Sequence, residues 1–118
     1  MNISKEKFEK LVEDAFLALP EYFKDKLENI TIVIEDYPPF RGLKSNLSVL
    51  GLYHGVPYPK RGIYYGNTLP DIITIYQKPI EAQVKDVKEL EALIRKVLYH
   101  EIGHYFGFTD EELYRIMK

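Results

Sequence analysis

The sequence predicts an α+β domain in which one amphipathic helix leads into a set of strands and two helices close the chain. Three observations carry this: helical spacing of apolar residues near the N-terminus, β-branched runs at Ile30–Ile34 and Asp71–Gln77, and a return to helical spacing from Asp86. At 118 residues the chain has the size of one domain, residues 1–118, with a single hydrophobic core.

The first helix is expected from about Ser4 to Leu19. Phe8, Leu11, Val12, Ala15, Phe16 and Leu19 recur at three- and four-residue spacing, with lysine and glutamate between them. Ser4 is the expected N-cap, and Pro20 interrupts the pattern. A further helical turn is expected within Glu21 to Leu27. Ile30 to Ile34 reads as a strand, and Glu35 to Asn46, with Pro38, Pro39 and Gly42, reads as a loop. Leu47 to Tyr53 is a second strand candidate, broken by Gly51. A proline- and glycine-rich loop follows, and Gly62 to Tyr65 is a candidate short strand. Asp71 to Gln77 is a third strand, ended by Lys78-Pro79.

From Asp86, the apolar residues Val87, Leu90, Leu93, Ile94, Val97, Leu98 and Ile102 form one wide stripe. Asp86 and Glu89 have the spacing of a capping box, and the helix is expected to end near Phe106, stopped by Gly107. Phe108 is then placed to pack back on Ile102. A second capping-box pattern, Thr109-Asp-Glu-Glu112, opens a last short helix.

Composition narrows the function. Hydrophobic residues make up 46% and charged residues 29%, with a formal net charge of -2. A nucleic-acid binder would show a basic excess, so that class is not expected. No apolar run approaches the roughly 18 residues that span a bilayer, so no membrane role is expected. The charged N-terminus is not followed by an apolar stretch of the secretory kind, and a cytoplasmic location is the expectation. Without cysteine, any metal must be held by histidine, aspartate or glutamate.

Two of the three histidines, His100 and His104, lie four residues apart inside the expected C-terminal helix. That spacing puts both imidazoles on one helix face, where they can share a metal ion. Glu101 lies beside that face, which suits a base acting on water rather than a ligand. Two imidazoles and one more ligand leave zinc an open position for water, so Zn2+ is the expected cofactor. Gly107 lets the chain reverse towards the histidines. The third ligand then has three candidates, Asp110, Glu111 and Glu112, of which Asp110 is favoured. Acidic residues at a helix N-terminus also have a simpler use, compensating the helix dipole. His54 is read as a loop residue at a strand end.

The pattern His100-Glu-x-x-His104-x-x-Gly107-x-x-Asp110 resembles the extended motif of the zincin-like metallopeptidases. More closely, the chain is similar to the minimal metallopeptidase-like family of small bacterial zincins, in which this motif lies at the C-terminus before an acidic pair and leucine, here Asp110-Glu-Glu-Leu113. Gly51-Leu-Tyr-His-Gly55-Val-Pro57 and Leu69-Pro-Asp-Ile-Ile-Thr-Ile-Tyr76 are also similar, so the resemblance covers roughly the last two-thirds of the chain. It implies a compact zincin-like fold with a small mixed sheet, His100, His104 and Asp110 as ligands, Glu101 as catalytic base, and a peptide or protein substrate. It also implies a substrate strand above the metal helix, for which Asp71 to Gln77 is the candidate. The turn with methionine that larger metzincins place under the metal has no counterpart here, and Met117 falls in the expected last helix. Transition-state donors are not marked by any motif; Arg61, Tyr64, Tyr65 and His54 are candidates. The alternative function is a non-enzymatic binding or regulatory module that retains zinc, and Glu101 discriminates the two, since a purely structural site needs no base.

Overall fold

The structure is a computed structural model that describes residues 1–27, 29–39, 49–55, 71–109, 111–112 and 115. Seven elements follow one another: α1 (Lys5–Leu17), α2 (Glu21–Lys24), β1 (Ile30–Glu35), β2 (Gly51–His54), β3 (Asp71–Tyr76), α3 (Gln77–Glu81) and α4 (Val87–Tyr105). The expected α+β class holds. The sheet is mixed, in the order β1-β3-β2, with β1 parallel and β2 antiparallel to β3.

Caps fix the two long helices where the sequence places them. Ser4 Oγ accepts the Lys7 amide at 3.1 Å, and Asp86 Oδ1 accepts that of Glu89 at 2.8 Å. Glu89 reaches back to the Lys85 amide at 2.9 Å, one residue before the cap itself. α1 stops at Leu17, two residues short of the expected end, although Leu19 still enters the core at 7% exposure.

Register determines what the sheet offers the helices. Ile30, Ile32 and Ile34 of β1 stand opposite Asp71, Ile73 and Ile75, while Tyr53 and Gly51 of β2 stand opposite Ile73 and Ile75. Residues paired across a ladder share a face, so these side chains form one surface. α4 packs against β2 and β3, and α1 packs on α4. The core between them is Phe8, Val12, Ile73, Ile75, Ile80, Leu90, Ile94 and Leu98 with their neighbours. Val87, the first residue of the expected apolar stripe, is exposed instead, at the first position of α4.

Three expectations need correction. β2 begins at Gly51 rather than being broken there, since Val49 and Leu50 precede the strand and Gly51 pairs with Ile75. The sequence also ends the third strand at Lys78-Pro79, whereas Gln77–Glu81 forms α3. Pro79 is the third residue of that helix, where an N–H has no intrahelical acceptor, so the missing donor costs nothing there. Lastly, Asp71 to Gln77 cannot serve as the substrate strand: β3 is central, with its backbone paired to β1 on one side and β2 on the other. The candidate strand Gly62 to Tyr65 lies outside the described residues.

α3 also fastens the start of the chain. The Ile3 amide donates to Glu81 Oε2 at 3.1 Å, and Gln77 Nε2 donates to the Ile3 carbonyl at 3.1 Å and to Glu81 Oε2 at 2.9 Å. Both side chains are 2% exposed, so these bonds satisfy Gln77 Nε2 and Glu81 Oε2 where water does not reach.

Candidate metal centre

The end of α4 builds the site. His100 and His104 project from the same side of the helix, with their Nε2 atoms 3.2 Å apart and their rings nearly perpendicular, at 86°. Glu101, 8% exposed, completes a group whose three ligating atoms lie within 4.8 Å of one another.

The helix stop orients one imidazole. Gly107 adopts φ 87°, a left-handed conformation that glycine enters without a Cβ penalty. The Gly107 amide donates to the His104 carbonyl at 2.9 Å and the Phe108 amide to the Gly103 carbonyl at 3.0 Å, which together form a Schellman motif. This reversal carries the Phe108 carbonyl to His104, whose Nδ1 donates to it at 3.2 Å. With its proton on Nδ1, His104 keeps the Nε2 lone pair for a metal. Phe108 remains 38% exposed at the end of this turn.

Beyond the stop, Thr109 and Glu112 form the expected reciprocal capping box. The Glu112 amide donates to Thr109 Oγ1 at 3.2 Å, and the Thr109 amide donates to Glu112 Oε1 at 3.1 Å. The Thr109 amide holds the Glu112 carboxyl below its usual range. Glu111, largely exposed, lies 4.0 Å from Arg115. Asp110, the favoured third ligand, lies outside the described residues, as do Arg61, Tyr64, Tyr65 and Met117. His54 sits exposed at the end of β2, opposite Ile72.

A groove of about 440 Å³ opens on the cluster, lined by Leu52, Tyr53, Gly55, Glu101, His104 and the turn at 107–109. Tyr53 stands in the wall of this groove. Its hydroxyl donates to Asp71 Oδ2 at 2.8 Å, and its ring meets Tyr105 edge-on at 6.1 Å. Asp71 is 1% exposed, so this hydroxyl answers a carboxylate buried at the start of the central strand. Register sets Tyr53 opposite Ile73 and so diagonal to Asp71, a relation that the sequence alone does not display.

The donor set fits zinc. Zn–N bonds of about 2.0–2.1 Å in a tetrahedron place two ligating nitrogens roughly 3.3–3.4 Å apart, and the two Nε2 atoms are 3.2 Å apart. His100, His104 and Glu101 thus form a group at the end of a helix that could hold a metal ion, open to a groove. The family model for zincin-like metallopeptidases matches residues 27–118, and the chain belongs to that family. Among solved structures, a conserved hypothetical protein from Thermo thermophilus is similar, at 26% identity and a TM-score of 0.60, over 88% of this chain and 94% of that one. No curated protein matches the chain. Among the described residues, no helix is long and apolar enough to cross a membrane.

Proposed function

We propose that this chain is a zinc-dependent hydrolase of peptide bonds that acts in the cytoplasm, with His100, His104 and Asp110 as ligands and Glu101 as general base. The observation that carries this reading is the pair of imidazole nitrogens 3.2 Å apart beside a nearly buried glutamate, at the wall of an open groove. Bound zinc lowers the pKa of water to about 7 and polarises a carbonyl oxygen. His104 is held in the tautomer that a ligand needs. Glu101 takes the proton of the attacking water and returns it to the departing amine, so that one carboxylate serves as base and then as acid. Its burial strengthens its electrostatic interactions with charged neighbours.

Two features support Asp110 over its neighbours as third ligand. Glu112 commits an oxygen to the Thr109 amide, and Glu111 lies towards Arg115. The Schellman turn sets Thr109 in the groove wall beside His104, directly before Asp110.

The test is Glu101→Gln, assayed on a library of unstructured peptides with zinc content measured alongside. The variant should retain zinc and lose hydrolysis by about 100-fold or more, within the range a positioned general base supplies. Equal activity in variant and wild type would remove Glu101 from the mechanism. A zinc-loaded wild type with no hydrolysis would favour the zinc-retaining binding module.

A further inference from the structure

The stretch Gly51-Leu-Tyr-His-Gly55 lies outside the His100, Glu101 and His104 group, yet its strand packs against the helix that carries that group. Gly51 opens β2 opposite Ile75. Its φ is not in the left-handed region, so the position does not demand glycine for its backbone. The demand is spatial. A Cβ at this position would lie 2.8 Å from Val97 Cγ1, 3.3 Å from Glu101 Cγ and 3.3 Å from the Thr74 carbonyl oxygen. The first distance is one that real side chains do not reach, and the other two are tight. Val97 and Glu101 are one turn apart on α4, so the face of the helix that approaches Gly51 is the face that carries the glutamate. Glycine inside a strand weakens it and marks a close backbone approach.

We propose that Gly51 is a positioning residue for Glu101: the volume left free by its missing side chain is shared by Val97 and the Glu101 stem. The proposal rests on the reading of Glu101 as base. β2 then does two things for the site. Gly51 lets α4 settle close enough for the Glu101 stem to be clamped between helix and strand, and Tyr53 ties the same strand to Asp71 of β3. A glutamate held in this way has its carboxylate directed before substrate arrives, instead of sampling rotamers in water.

The experiment compares wild type, Gly51→Ala, Val97→Ala and Gly51→Ala/Val97→Ala. Carboxylates of the metal-free proteins are labelled with a water-soluble carbodiimide and an amine, and the rate at each glutamate is read by mass spectrometry. Glu81, buried far along the chain, reports global unfolding. Gly51→Ala should raise the labelling rate of Glu101 roughly fivefold or more while Glu81 stays protected, the signature of a local change. Should alanine at 51 unfold the protein, so that Glu81 is labelled too, the double variant decides: it removes the Val97 conflict and keeps the crowding of Glu101. Its Glu101 labelling should exceed that of Val97→Ala alone. Equal labelling in that comparison, or unchanged Glu101 labelling in a folded Gly51→Ala, would overturn the proposal.

A kinetic arm separates positioning from general damage. With zinc bound, Gly51→Ala should lower kcat about tenfold with KM and zinc affinity little changed, and should cost nothing further in the Glu101→Gln background. An equal loss in both backgrounds would also overturn the proposal. A wild type without hydrolysis would defeat the hydrolase reading alone, since labelling still decides the placement of Glu101.

Discussion

His104 shows how a single residue is specified from both of its nitrogens. Nε2 faces His100 and Nδ1 donates to the Phe108 carbonyl, so the ring is turned and its tautomer set by the backbone. Tyr76 is specified differently. At the end of the central strand it is 2% exposed, and burial, with Glu35 adding to it, pushes its phenol above the usual value. The sign follows from linkage. The unfolded chain releases this proton near pH 10 while the folded chain keeps it, so stability is unaffected below pH 10 and is lost as pH rises through the folded value. Tyr76→Phe should therefore show a smaller fall in urea midpoint between pH 8 and pH 10.5 than wild type. An identical fall would mean that the buried phenol is not the group responsible.

At the scale of elements, the joint between α4 and the turn after it matters most. Gly107 both ends the helix and delivers the carbonyl that orients His104. Gly107→Ala forces a Cβ into the left-handed region, at a cost of about 1–2 kcal/mol. The effect should reach the metal as well. If the Phe108 carbonyl shifts, His104 loses its partner, and zinc affinity should fall about tenfold, as expected for loss of a supporting hydrogen bond. Competition with a chromophoric chelator reads the affinity, and thermal melting reads the stability. A variant that melts earlier yet binds zinc as tightly as wild type would separate the cap from the site. α2 lies near the same joint: Phe23 meets Phe106 edge-on at 5.9 Å, and the Tyr105 hydroxyl donates to the Lys26 carbonyl at 3.1 Å.

For the whole molecule, what could be read from sequence was whatever local chemistry decides. The caps at Ser4, Asp86 and Thr109, the stop at Gly107 and the stripe of α4 all depend on residues within a turn of one another, and they appear as expected, the stripe from Leu90 onward. The histidine pair was legible for the same reason. Strand order was not, because it depends on pairing between distant segments; β3 therefore looked free to receive a substrate although both of its sides are taken. α3 was hidden by Pro79, which reads as a terminator unless its place in the first turn is known. Gly51 resembled a strand break, and only the packing of α4 reveals that it makes room for Val97 and Glu101.

The central claim is that the end of α4 holds a metal, and metal content tests it most directly. Purified protein, loaded with zinc and dialysed extensively, should retain about one zinc per chain, and His100→Ala, which removes one of the few ligands, should retain almost none. Wild type that keeps no zinc after loading, or a His100→Ala variant that keeps as much as wild type, would contradict the account.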